Sequence, residues 1–374
     1  MFFIIGIFIT VFLCLLLLIK KNKSRADQIL VLWLVLILIN QLLNYFLVTK
    51  AIYQYPDFLG ITLSMPVMLG VFLYLYVREI TGNRLDNNWI TLLHFVPTIL
   101  LVLLAIPFYM ITGAEKIYVF ENDGEGFEWY SMIQNTVVAL SGLTYSIWSL
   151  VIINRHQKSI KDKFSNTDKK ELQWLRLLSI GFAVIWVLAA FFDEVVIYSA
   201  VSVFVLCIAI FGINQLSIFN SNAELEDIID NQPTNGTGKP STKTPSKEDI
   251  KSEKYAKSGL SEEMASEIYT SLKVLMEDSS YYKDEELTLI ELSKRLEVHP
   301  NHLSQVINEM EGKNFYNYIN SLRINEFIKL AQLPESKKYT MISLAYDCGF
   351  STKSTFNKHF KLQTGKTPTD FFKS

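Results

Sequence analysis

Charge is scarce in this chain. Asp, Glu, Lys and Arg make up 19% of 374 residues, against roughly 25% in an average soluble protein. Cysteine is scarcer still, with Cys14, Cys207 and Cys348 far apart and in no CxxC spacing. A disulfide framework or a zinc site is not built from three isolated cysteines. Paired carboxylates, a proton relay and a metal-ligand cluster are also missing, so the expectation is no enzyme and no cofactor. A cleavable signal peptide is not expected either. The first apolar run has no basic stretch before it and no small-residue cleavage site, and its positive charges follow it.

What the chain has is apolar surface: 50% hydrophobic residues, 13% aromatics and a mean hydropathy of +0.22. That excludes a disordered or collagenous protein and argues against an ordinary cytosolic enzyme. The net charge of -2 says little about partners, because a whole-chain sum hides opposite regions.

The apolar residues concentrate before about residue 216. About seven segments approach the roughly 20 apolar residues that a spanning helix needs. They are Phe2–Ile19, Gln28–Val48, Phe58–Ile80, Thr91–Ile111, Ser131–Ile153, Trp174–Phe192 and Val195–Ile213. Basic residues fall on alternate connections. Lys20, Lys21, Lys23 and Arg25 follow the first segment and Arg78 and Arg84 the third. Arg155, Lys158, Lys161, Lys163, Lys169 and Lys170 follow the fifth. The even connections hold only Lys50 and Lys116. The positive-inside rule then puts the N-terminus outside and everything after Ile213 in the cytoplasm. The outer connection before the fifth segment is acidic (Glu115, Glu121, Asp123, Glu125, Glu128), in keeping with that orientation.

Asn40, Gln41 and Asn44 lie together on the second segment, and Gln134, Asn135, Ser141, Thr144 and Tyr145 make one side of the fifth polar. A ligand cavity would use such residues. Interhelical hydrogen bonding, worth about 0.6–2 kcal/mol per contact, is the favoured reading for any one of them. Ionisable residues within the segments are the stronger functional clue, and they are few: His94, with Asp193 and Glu194 at an outer end. Pro66, Pro97 and Pro107 are expected to mark kinks.

Residues 231–258 are rich in Pro, Gly, Ser, Thr and alternating charge, the composition of a flexible tether. Before it, Leu216–Ile229 continues a helical repeat with Leu225, Ile228 and Ile229. One weak heptad there is compatible with a homodimer but does not establish a coiled coil.

After the tether the pattern changes to short capped helices. Ser261 precedes Glu262 and Glu263 as an N-cap. Ile268, Leu272 and Leu275 then form an apolar face. Thr288-Leu-Ile-Glu291 is a capping box opening a helix with Leu289, Leu292 and Leu296 on one side. Glu297-Val-His299 breaks the chain, and Pro300 suits a first helical position. The helix Asn301–Met310 is expected to bury Leu303, Val306, Ile307 and Met310. A long helix follows over Asn314–Leu333, stopped by Pro334. The two-helix pattern then recurs: Thr340 caps Met341–Cys348, Gly349 makes the turn, and Ser351 caps Thr352–Lys361 with Phe356 and Phe360 inward. Two helix-turn-helix motifs about 50 residues apart, joined by one long helix, are a strong signal. His299, His302 and His359 lack metal-spaced partners and read as surface or groove residues; Cys348 reads as a small packed residue.

Ile342-Ser-Leu-Ala-Tyr-Asp-Cys-Gly-Phe350, with Phe356, Phe360-Lys361, Gly365, Thr367-Pro368 and Phe371, resembles the DNA-binding domain of AraC/XylS-family bacterial transcription regulators. Asn301-His-Leu-Ser-Gln305, Lys313–Asn320 and Leu322-Arg323-Ile324 resemble the first half of that signature. The resemblance covers about Leu287–Phe372. With the apolar half, the whole chain is similar to membrane-tethered members found in Bacteroidetes-type bacteria. The resemblance implies that Asn301, Ser304 and Gln305 face one major groove of promoter DNA, and Lys353, Ser354, Thr355 and Lys358 the next. It departs at Glu297, commonly Gly in the family, and at His299, commonly Ser. A left-handed backbone at a non-glycine residue costs roughly 1 kcal/mol.

Independently, Lys353, Lys358, Lys361, Lys366 and Lys373 stand against Asp370 alone at the C-terminal end. That balance fits phosphate contacts.

The expectation is thus an all-α protein. Residues 1–216 form a seven-helix transmembrane bundle and residues 217–260 a cytoplasmic helix extension and linker. Residues 261–374 form an all-helical double helix-turn-helix DNA-binding domain. The expected location is the bacterial cytoplasmic membrane. The expected partners are promoter DNA, the lipid bilayer, an unidentified signal ligand and, on DNA, RNA polymerase. The alternatives are a transporter or intramembrane enzyme with a fused regulatory DNA-binding domain, and a protein-interaction module in place of a DNA reader.

Overall fold

The structure is a computed structural model that describes residues 2–20, 23–83, 88–167, 171–192, 194–215 and 260–373. The expected helix extension Leu216–Ile229 and the tether 231–258 lie outside the described residues. Among those described, the regular elements are helical, with one isolated β-bridge, Phe164 to Thr288. The chain divides into two units, 1–155 with 172–230, and 156–171 with 231–374. The fifth connection therefore groups with the C-terminal residues, a division that the linear domain reading did not contain.

The first unit holds α1 (Phe2–Ile19), α2 (Arg25–Val48), α3 (Ile61–Ile80), α4 (Asn88–Leu93), α5 (Val96–Leu104), α6 (Ile106–Met110) and α7 (Gly113–Glu121). It also holds most of α8 (Glu128–Lys163), with α9 (Gln173–Phe191) and α10 (Glu194–Gln215). Trp33 is at its centre, with ring contacts to Phe182, Phe204 and Tyr76 at 6.1–6.3 Å. Leu34, Val71, Val77, Ile153, Leu175 and Val205 complete a core with no solvent exposure at these positions. Facing outward are large apolar side chains, among them Phe8, Ile19, Leu32, Leu103, Ile147 and Val203.

By length and composition, three helices among the described residues are apolar enough to cross a membrane: Arg25–Val48, Pro56–Ile80 and Glu128–Lys163. Ile4–Ile19, Trp89–Leu104, Gln173–Ala189 and Ser199–Ile210 are shorter apolar helices. Among the described residues, three of the seven expected spans thus reach that standard. The fourth segment departs most, because it is broken into α4, α5 and α6. Pro97 and Pro107 sit in the first turns of α5 and α6, where a missing N–H costs no helical bond. Each therefore starts a new helix and does not kink a continuous one. Pro66 lies inside α3.

The polar residues of the apolar half serve contacts between and within helices. Thr10 Oγ1 donates to Gln41 Oε1 at 3.3 Å, Gln134 Nε2 to the Leu63 carbonyl at 3.0 Å, and Asn44 Nδ2 to the Asn40 carbonyl at 2.8 Å. His94 Nδ1 lies 3.0 Å from the Tyr145 hydroxyl. At the start of α2, Ser24 and Asp27 form a reciprocal capping box, and Lys20 Nζ lies 2.7 Å from the Asp27 carboxylate.

The second unit holds α11 (Glu262–Ser279), α12 (Leu289–Arg295), α13 (Pro300–Glu311), α14 (Phe315–Ala331), α15 (Met341–Asp347), α16 (Lys353–Thr364) and α17 (Pro368–Lys373). It contains two apolar cores, and α14 supplies both. Phe315, Tyr318 and Ile319, from its first half, pack with Leu272, Leu292, Leu303, Val306 and Ile307. Ile324 and Phe327, from its second half, pack with Leu344, Ala345, Phe350, Phe356 and Phe360. One helix with a core at each end holds two helical pairs at a set separation.

Candidate nucleic-acid interface

Each helical pair is closed by the same backbone device. After α12, the Val298 N–H donates to the Ser293 carbonyl at 3.0 Å and the Glu297 N–H to the Lys294 carbonyl at 3.2 Å. After α15, the Phe350 N–H donates to the Ala345 carbonyl at 3.2 Å and the Gly349 N–H to the Tyr346 carbonyl at 2.9 Å. This is the Schellman pattern, which needs one left-handed residue after the helix. Glu297 (φ 55°) and Gly349 (φ 93°) take that conformation. The unusual Glu297 therefore holds the turn that the sequence demanded of it.

The helices that follow are capped by different chemistries. His299 Nδ1 accepts from the Asn301 N–H at 3.2 Å at the start of α13. On the second motif the N-cap is Thr352, whose Oγ1 accepts from the Thr355 N–H at 3.3 Å. Ser351, the expected cap, lies one residue before it. Thr288, Asn314 and Thr340 cap α12, α14 and α15. At α12 only the Thr288 half of the expected capping box forms, since Glu291 turns its carboxylate to Arg295 at 3.2 Å.

On α13, Asn301 is exposed and Ser304 and Gln305 are half-buried, while Leu303, Val306 and Ile307 are fully buried. Met310, expected in the core, is 42% exposed, because the core ends one turn earlier. Gln305 Nε2 donates to Glu309 Oε1 at 3.1 Å, and Asn308 Nδ2 to the Ser304 carbonyl at 2.8 Å. On α16, Lys353, Ser354 and Lys358 are exposed and Phe356 and Phe360 are buried. Thr355 is buried, and its hydroxyl lies 3.1 Å from Thr352 Oγ1, within the cap. Lys361, Lys366 and Lys373 extend the basic exposure. Each motif thus presents one helix with polar or basic side chains outward and an apolar face inward, the arrangement that base edges and phosphates require.

Residues 292–374 match the family model of a helix-turn-helix domain. The type is that of AraC regulators. The match covers both motifs except for the first turn of α12, and it supports DNA binding by this unit. No curated protein and no solved structure matches the chain.

His359 departs from its surface reading. It is 6% exposed, with its ring centroid 4.9 Å from that of Tyr316. Cys348 is fully buried, and burial pushes its thiol up to about 12, as a packed residue requires. Arg323 on α14, the most buried cation among the described residues of the unit, is 1% exposed, and no sequence signal marked it as buried. It donates through Nε to the Tyr282 carbonyl at 2.6 Å and through Nη2 to the Asp284 carbonyl at 2.7 Å. Burial lowers it to about 10, so it is still a cation at neutral pH. An arginine in the middle of a helix carries no sequence mark of burial; only the carbonyls that converge on it reveal the site.

Proposed function

We propose that the chain is a one-component transcription regulator embedded in a bacterial cytoplasmic membrane, whose cytoplasmic helix-turn-helix domain binds promoter DNA sequence-specifically. The observation that carries the DNA reading is α14. One rigid helix with a motif packed at each end can place α13 and α16 in successive major grooves, about 10 bp apart on one face of the duplex. Asn301, Ser304 and Gln305 then read the first groove, and Lys353, Ser354 and Lys358 the second, with Thr355 holding the α16 terminus in shape. The basic C-terminal lysines supply phosphate contacts.

Membrane embedding is supported by the apolar outward face of the first unit. Contiguous exposed apolar area beyond a few hundred Å² is rare on soluble monomers. The alternation of basic connections supports it separately. In this reading the membrane half senses a stimulus and shifts the domain between two states of different DNA affinity.

The test is fluorescence anisotropy of the full chain in nanodiscs on selected promoter DNA, titrated with salt, with a footprint on the same fragment. Two protected segments about 10 bp apart and a steep loss of affinity with salt are expected. Protection confined to one groove, or binding indifferent to salt, would refute the reading.

A further inference from the structure

We infer that Phe164–Thr167, the segment that follows α8, is a docking strap held in a socket on the helix-turn-helix domain, so that the domain is attached through this connection as well as through the tether. The inference takes the C-terminal unit to be the DNA-binding domain, but neither its evidence nor its test involves DNA.

The socket is built around Arg323. A guanidinium has five N–H donors in a fixed fork. Here they meet carbonyl, hydroxyl and amide oxygens. Three partners belong to the domain itself: the Tyr282 and Asp284 carbonyls and Asn320 Oδ1, the last at 3.3 Å from Nη1. The other two belong to one residue of the strap. Nη2 donates to Ser165 Oγ at 3.2 Å, and Nη1 points to the Ser165 carbonyl at 3.5 Å. Asn320 Nδ2 donates to the same carbonyl at 3.3 Å. The Ser165 N–H closes the pattern on the Leu287 carbonyl at 3.2 Å, beside the Phe164–Thr288 bridge. Ser165 and Thr167 are each 1% exposed.

This is a polar contact made almost wholly out of solvent. A buried donor left without an acceptor is costly, so a domain without the strap leaves the Arg323 fork and Asn320 short of partners until water enters. The strap is therefore what the socket is shaped to hold. The charge count is compatible with this docking. It puts the connection carrying Arg155, Lys158, Lys161 and Lys163 on the same side as residues beyond Ile213.

Arg323 also links the segment before the first motif to the turn of the second. Its Tyr282 and Asp284 partners precede α12, and its guanidinium carbon lies 5.9 Å from the Phe350 ring centroid, beside the turn before α16. A strap seated on Arg323 thus bears on the junction that sets how the motifs are held.

The experiment uses the full chain in vesicles, with a protease site placed in the tether and the pair Phe164→Cys and Thr288→Cys introduced. Antiparallel bridge partners lie about 4.5–5.5 Å apart at Cα, within disulfide reach of about 4.4–6.8 Å. After oxidation and tether cleavage, the C-terminal fragment is expected to stay with the vesicles and to leave on reduction. The single Phe164→Cys variant is expected to release it in both conditions. Release from the oxidised pair would overturn the strap. A second measurement leaves the domain sequence untouched. Ser165→Pro removes the N–H to Leu287, and amide exchange of peptides covering 282–296 and 316–326 is expected to quicken about tenfold. Unchanged exchange would overturn the strap as well. Failure of either arm leaves the DNA reading standing, since the salt-dependent binding test is separate.

Discussion

Glu297 and Gly349 occupy equivalent positions in the two helix-turn-helix motifs, each the single left-handed residue that ends the first helix of its pair. Only Gly349 does so without a side chain to strain. It also needs to be glycine for space: a Cβ there would lie 2.6 Å from the Lys283 carbonyl oxygen and 3.0 Å from Arg323 Nε.

The two positions therefore respond oppositely to substitution. Glu297→Gly removes a left-handed penalty of roughly 1–2 kcal/mol and restores roughly 0.5–1 kcal/mol of backbone entropy cost. A modest rise in the urea midpoint of the domain is expected. Gly349→Ala combines the backbone penalty with a clash against a carbonyl, and the midpoint is expected to fall. Equal responses at the two sites would contradict the assignment.

The second core depends on Phe327, which is fully buried between Phe356 (ring centroids 4.6 Å apart) and Phe360 (5.8 Å). Phe327→Ala is expected to cost about 3–5 kcal/mol, read from chemical denaturation of the domain. A cost below about 1 kcal/mol, the range of surface changes, would mean that α14 does not anchor the second motif.

Lys353→Glu and Lys358→Glu are expected to weaken DNA binding across all sequences. The slope of log K against log salt should flatten by about 0.9 for each phosphate that the variant no longer neutralises. Ser354→Ala and Ser304→Ala are expected to alter base preference while leaving that slope unchanged. Anisotropy titrations on a small panel of operator variants separate the two classes.

Acid sensitivity should trace in part to Glu326. Its carboxylate lies 2.7 Å from Lys283 Nζ, and that hydrogen bond holds it below the usual carboxylate range. A depressed folded-state pKa contributes stability that is present above the unfolded value of about 4.3. That stability is lost as pH falls through the lower folded value. Glu326→Gln is expected to flatten the acid limb of the stability profile below about pH 5 and to leave its slope near neutrality unchanged. An acid limb identical to that of the wild type would mean that Glu326 has no part in the acid response.

Much of the second unit was legible in the sequence because its signals are local. Thr288, Asn314 and Thr340 announce helix starts through bonds to residues three positions on. Gly349 announces a turn by its lack of a side chain, and the apolar spacing of Leu303, Val306 and Ile307 marks a buried face. Such signals need no knowledge of what packs elsewhere. The misjudged residues are those whose environment comes from a distant segment. His359 is buried because Tyr316, on another helix, covers it, and Met310 is exposed because the core ends before it. In the apolar half, the seven apolar runs were visible, but the division of the fourth into three short helices was not. A proline can kink a helix or begin one, and the choice depends on what surrounds it.

The class of each half follows from residue order alone: apolar helices before residue 216, and two capped helical pairs on one long helix after residue 260. Composition and capping are properties of neighbouring residues, so no fold is needed to see them. The burial of Arg323 comes from packing, because its five donors are satisfied by oxygens drawn from three separate stretches of chain. Two of those acceptors belong to Ser165, far away in sequence. A buried cation is tolerated only where such acceptors converge, and convergence is what a linear sequence does not display.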